Sequence, residues 1–230
     1  MNEFFASSVY FGVLLSLGTY LLGVWLKNKT GIKMLNPLLT AVVLTIVILL
    51  GLGVEYDTYY AGAKYLSYLL TPATICLAVP LYEQFEKLKQ NARAILAGIL
   101  AGVLTSLCTV LALCALFGLD HANYVTLLPK SITTAIGIGV TEKLGGYVSI
   151  TAAVIILTGV FGNVFADLIC RVFRIREPIA KGVGIGTASH AIGTTRALEM
   201  GPVEGAMSSL SIVVSGVLTV LLAGVFANFL

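Results

Sequence analysis

Residues 182–200 read GVGIGTASHAIGTTRALEM, a run of membrane-spanning character that holds His190 and Arg196. A central arginine in a spanning helix costs about 2.5–3.5 kcal/mol on insertion scales, so such residues mark function or tight pairing. Four glycines fall within the twelve residues 182–193, with hydroxyls at Thr187, Ser189, Thr194 and Thr195. Glycines loosen a helix, hydroxyls donate hydrogen bonds and cations attract anions. The stretch is expected to build a polar site for a small anion at membrane depth.

The rest of the chain has the composition such a site needs. Hydrophobic residues make up 58% and charged residues 11%, about half the charged fraction of a soluble domain. With mean hydropathy at +0.98, the expectation is an all-α polytopic membrane protein, a single transmembrane domain over 1–230 with no room for a soluble catalytic domain. The net charge of +3 sits in short loops and reports topology, not nucleic-acid affinity. Cys76, Cys108, Cys114 and Cys170 form no CxxC or metal-ligand spacing and read as small buried hydrophobes. The opening MNEFF is acidic, and positive charge follows the first apolar run, so that run is expected to stay as an anchor.

Seven to eight apolar segments are expected, at about 8–26, 36–53, 60–82, 94–118, 124–141, 146–170, 183–199 and 205–229. Three connections are basic, carrying Lys27, Lys29 and Lys33, then Lys87, Lys89 and Arg93, then Arg171, Arg174, Arg176 and Lys181. The positive-inside rule places all three in the cytoplasm. Turns with Glu55 and Asp57, and with Asp120, read as outside. Alternation then fails, because two apolar segments lie between outside at Asp120 and inside at Arg171. One must enter and leave by the same face, and 124–141, interrupted by Pro129, Gly137 and Gly139, is the candidate. For 183–199, crossing and re-entry stay open, and with them the side of the carboxyl terminus.

A weak echo divides the chain into halves, 8–118 and 124–230. Leu35-Asn36-Pro37-Leu38 answers Leu128-Pro129-Lys130-Ser131, and Thr71-Pro72-Ala73-Thr74-Ile75 answers Gly186-Thr187-Ala188-Ser189-His190. Interrupted segments at matching places in two halves point to transporter binding sites.

Each candidate residue has a duller reading beside it. His190, with an ordinary pKa near 6.5, could bind an anion or carry a proton; the alternative is a neutral ring satisfied by a neighbouring helix. Arg196 suits a carboxylate bidentately, or pairs with Glu199 three residues on. Lys130 follows Pro129 where a restarting helix offers free N–H groups to an anion, with Ser131, Thr133 and Thr134 alongside; otherwise it reaches the outer interface. Thr71 and Thr74 could line a break at Pro72, while Pro80 reads as a packing kink. Asn163 is placed to bridge helices, Asp167 to be solvated, and Gly98 with Gly102 to form a close-packing face. Gly182-x-Gly184 lacks the third glycine of a dinucleotide fingerprint. Without GxSxG or HExxH the chain is not expected to be an enzyme, and it calls for no cofactor or metal.

The strings LNPLL, TPATICLAVPLYEQ, LLPKSITTAIGI and GIGTASHAIGTTRALEMGPVEGAMSSL resemble the LrgB/CidB family of bacterial membrane proteins over essentially the whole chain. The resemblance implies a multi-pass protein of the bacterial plasma membrane. Family members were described as antiholin-like and holin-like proteins linked to murein hydrolase export and lysis. The family is also similar to the second half of the plastid glycolate/glycerate translocator, and some bacterial members are described as pyruvate transport components. It implies a separate LrgA-type small membrane protein as partner, and leaves a homo-oligomer open. The residue roles above come from chemistry, not from family sites. Together these readings predict movement of a small monocarboxylate such as pyruvate or glycolate. Segments 126–139 and 184–196 would meet near the midplane; Arg196 and Lys130 would attract the carboxylate, and His190 would couple a proton. The rival reading is an antiholin-like regulator acting through packing faces.

Overall fold

The computed structural model describes residues 8, 10–31 and 35–230; of Leu70 and Thr74 it describes the backbone alone. Lys33 and the MNEFF opening lie outside the described residues, as does the Thr74 side chain. Among the described residues the structure is helical with no strand. The chain is therefore an all-α polytopic membrane protein. Five helical stretches are long and apolar enough to cross a bilayer: Phe11–Thr30, Tyr56–Glu83, Phe85–Leu116, Val148–Val172 and Pro202–Phe229. Pro37–Leu52 is apolar but shorter, at 16 residues.

Two compact units divide the chain, one ending at Cys76 and one spanning Leu77–Leu230. The first contains α1 (Phe11–Thr30), α2 (Pro37–Leu52), α3 (Tyr56–Ser67) and α4 (Leu70–Cys76). Asn36 caps α2, its side chain accepting from the N–H groups of Leu38 and Leu39, with Pro37 at the first turn where no donor is needed. Glycines let α1 approach its neighbours: a Cβ at Gly23 would stand 2.7 Å from the Pro37 carbonyl oxygen. Hydroxyl pairs tie the seams, Thr19 with Thr45 at 2.9 Å and Ser16 with Tyr59 at 2.7 Å.

The second unit contains α5 (Ala78–Glu83), α6 (Phe85–Leu116), α7 (His121–Leu127), α8 (Thr134–Leu144), α9 (Val148–Val172), α10 (Pro178–Met200) and α11 (Pro202–Phe226), with a closing turn at Ala227–Phe229. Pro72 and Pro80 each fall in the first turn of their helical pieces, α4 and α5, where proline is tolerated. Helix α6 begins nine residues before the apolar run at 94, because Glu86, Lys87, Lys89 and Arg93 are good helix formers. Hydropathy locates the lipid-facing part, not the helix end.

Two hairpins of this unit do not cross. In α10 the backbone leaves helical geometry at His190, with φ 42° and ψ −141°. Beyond it the chain returns: a Cβ on Gly193 would stand 3.2 Å from Ile185 Cγ2, although in a straight helix eight residues separate them by about 12 Å. Ile185 and Ala197 share one buried cluster with Ala166. The rising arm, 178–189, climbs beside α6, Val183 against Gly98 and Thr187 against Gly102. The falling arm, 191–200, descends beside α9, where Asn163 donates to the Ile192 carbonyl at 2.8 Å. Each arm is about 15–18 Å long, half a bilayer core. Segment 183–199 is thus a re-entrant hairpin.

A second, opposed hairpin is made by α7 and α8. Asp120 caps α7 by accepting from the Asn123 N–H at 2.8 Å. The chain turns over Leu128–Thr133 and comes back, so that the Tyr147 N–H donates to Thr126 Oγ1 at 2.8 Å. Thr141 and Thr151 hydroxyls pair at 2.9 Å, and the Thr151 hydroxyl donates to the Thr126 carbonyl. Both segments singled out in the sequence therefore re-enter. Within this unit α6, α9 and α11 cross, the basic 171–181 connection shares a face with the start of α6, and Leu230 lies on the other. His121 Nδ1 donates to the Leu230 carbonyl oxygen at 2.6 Å, and the Tyr124 hydroxyl to the Phe226 carbonyl at 2.9 Å.

Candidate functional site

The two hairpin tips come to the same level of the three crossing helices. On α9 the Ile155 carbonyl oxygen accepts from His190 Nε2 at 2.9 Å, while the Ile155 side chain lies against Gly137 of α8. On α6 the first hairpin reaches Ser106, whose hydroxyl pairs with that of Ser131 at 2.9 Å; the second reaches Gly102, one turn away at about 6 Å. On α11 Gly186 abuts Ser208 and Ser211, and Ile136 stands over Gly216. A hydroxyl stripe, Ser208, Ser211, Ser215 and Thr219, runs buried along α11 between them.

Lys130 sits in the turn of the first hairpin, half-buried, with its ammonium donating to Ser131 Oγ at 3.1 Å. Helix α8 starts just beyond it. Thr133 occupies the capping position without a side-chain cap bond, and Thr134 opens the helix. The N–H groups of that first turn lack helical partners and carry about half a positive charge. The falling arm of the second hairpin starts at a similar level of the crossing helices, so the amino ends of two half-depth helices lie at similar depth. Thr187, 5% exposed, carries the one buried hydroxyl among the described residues without a hydrogen-bond partner. An unsatisfied buried hydroxyl costs about 1–3 kcal/mol.

The other expected residues are committed to structure or lie elsewhere. His190 is buried at 3% exposure, its ring seated on Gly159, where a Cβ would stand 2.7 Å from Cε1. Its Nε2–H is spent on the Ile155 carbonyl, which only accepts. Ser189 packs on Gly162. The Thr194 hydroxyl bonds the His190 carbonyl at 2.9 Å and Ser208 at 2.7 Å. Thr195 accepts from Asn163 at 2.7 Å and donates to the Ile192 carbonyl at 2.8 Å. Arg196 lies at the foot of the falling arm, away from Lys130. Its Nε donates to Asp167 Oδ2 at 2.9 Å, Nη2 reaches the same oxygen, and Nη1 reaches Glu199. Asp167, expected to be solvated, keeps 46% of its side chain exposed and is also the partner of Arg196. Ser106 escaped the sequence reading, because a lone serine in an apolar run carries no signal.

A sequence model described as the LrgB-like family matches residues 16–229. Proteins named antiholin-like protein LrgB from Bacillus cereus (strain B4264) and Bacillus anthracis (strain A0248) are each 39% identical over 222 residues, covering 96% of this chain and 96% of theirs. No solved structure matches.

Proposed function

This chain belongs to the LrgB-like family, and from that footing we propose that it moves a small monocarboxylate of the pyruvate or glycolate type across the bacterial plasma membrane. The observation that carries this reading is a pair of opposed half-depth hairpins whose tips reach a similar level of α6, α9 and α11, with Lys130 in the turn of one of them. Broken helices whose amino ends face a midplane site are a transporter device for anions, and a cation at that depth is costly unless an anion or a pathway justifies it. The Lys130 ammonium supplies the charge, Ser131 and Ser106 position it, and Thr187 offers a free donor. The first-turn N–H groups of α8, flanked by Thr133 and Thr134, face the carboxylate oxygens. His190 holds its hairpin to α9, with Ser189, Thr194 and Thr195 setting the tip. Arg196 sits below, in the wall of a cavity on the 171–181 side, where Asp167 and Glu199 hold it. An LrgA-type small membrane protein works with the chain.

The test is uptake of radiolabelled pyruvate and glycolate into proteoliposomes, with and without that small partner. Wild type should take up one or both, and Lys130→Gln should lower uptake at least about tenfold, the loss of one charge-assisted contact. The relatives' name supports a rival, an antiholin-like regulator. That reading predicts no flux and no sensitivity to Lys130, and such a result would overturn the transport proposal.

A further inference from the structure

A cavity of about 590 Å³ opens at the foot of the second hairpin, on the face of the basic 171–181 connection. Its wall includes Arg171, Arg174, Arg176 and Lys181. Arg196 also lines it but is held by Asp167 and Glu199. The other four cations have no carboxylate within ion-pair distance among the described residues. Of the two carboxylates in the wall, Asp167 is taken by Arg196, and Glu204 is 7% exposed, packed against Gly201. The positive-inside rule accounts for basic residues on this side. It does not require four unpaired cations to face one cavity. Arg174 is brought there by a left-handed turn, φ 55°, that non-glycine residues seldom adopt.

We infer that this cavity is a binding site for a phosphoryl group, separate from the monocarboxylate site between the hairpin tips. A monocarboxylate carries one charge and needs one cation. A phosphate monoester carries about −1.5 to −2 and a lipid's phosphodiester about −1, and guanidinium forks match the free oxygens of either bidentately. The volume is that of an ordinary ligand pocket, about 300–1,000 Å³. A ligand here bridges the end of α9, through Arg171, to the rising arm, through Lys181. Occupancy therefore fixes the foot of the hairpin. Two sources supply such a group on this face, a free phosphorylated solute or the headgroup of an anionic lipid.

The test uses the full chain in nanodiscs. In phosphatidylcholine alone, radiolabelled pyrophosphate should bind saturably if a free solute is the natural source. The double change Arg171→Gln with Lys181→Gln should weaken it about tenfold or more. In nanodiscs containing phosphatidylglycerol, native mass spectrometry should retain bound phosphatidylglycerol on wild type and lose it on the double variant if a headgroup is the source. Arg174→Gln with Arg176→Gln, on the exposed connection, repeats both arms without touching a helix. Lys130→Gln should keep phosphoryl binding even where it loses uptake, which separates failure here from failure of the transport reading. Wild type and both double variants behaving alike in both arms would overturn the proposal.

Discussion

Thr187 shows what a single side chain reveals about a site. Its hydroxyl is buried without a partner, although a threonine in a helix can turn back to the carbonyl four residues before it. Thr187→Val keeps the shape and removes the orphan. In thermal unfolding the empty protein should gain about 1–3 kcal/mol, while under the transport proposal KM for the anion rises. Gain without a KM change would show that the hydroxyl meets no ligand. The sequence singled out Thr187 among four hydroxyls but could not rank them. Thr194 and Thr195 are used up by Ser208 and Asn163, partners that only the folded hairpin brings near. The same holds for Arg196. Glu199 was legible as its neighbour at helical spacing, whereas Asp167, 29 residues away, was not. His190 was noticed for its charge, yet it also makes the turn itself. Four glycines nearby suggested where the chain loosens, but the bend falls on His190, whose ring bonds the Ile155 carbonyl.

At the level of elements, the glycines sort into those that seat a hairpin and those that do not. His190 rests on Gly159 of α9, and a methyl there would stand 2.7 Å from the ring. Gly184, on the rising arm, has nothing within 4 Å of such a methyl. Gly159→Ala should therefore destabilise by about 1–3 kcal/mol through overpacking. Gly184→Ala should be neutral or stabilising, since alanine favours helix by about 1 kcal/mol. Melting temperatures of the two purified variants check the contrast, and equal shifts would contradict the seating described for His190. The Gly98–Gly102 pair was legible as a packing face from its spacing, but its partner, the rising arm, was not. Pro129 announced the first hairpin, since proline inside an apolar run breaks a helix. The second hairpin contains no interior proline, and hydropathy reads a folded half-depth pair as it reads a straight span. That is why re-entry of 183–199 could not be decided from the sequence.

For the molecule, the three crossings of the second unit and its two opposed hairpins restore the alternation that the apolar segments broke. They put residue 230 on the face opposite the basic 171–181 connection. In a cysteine-free background, Asn228→Cys should react with a membrane-impermeant maleimide on intact cells. Arg176→Cys should react only after lysis, and the reverse pattern would refute this topology. Apolar runs and loop charge made most crossings and the side of the 171–181 connection legible, but the side of residue 230 needed the fold. The half-depth hairpins also carry an electrical consequence. A cell interior that is negative drives anions outward, by about 2.3 kcal/mol for one elementary charge per 100 mV, roughly a fifty-fold bias. Under the transport proposal, an unaccompanied carboxylate passing Lys130 would thus leave the cell. Net accumulation requires a cation, such as a proton, to travel with it, or another anion to leave in exchange.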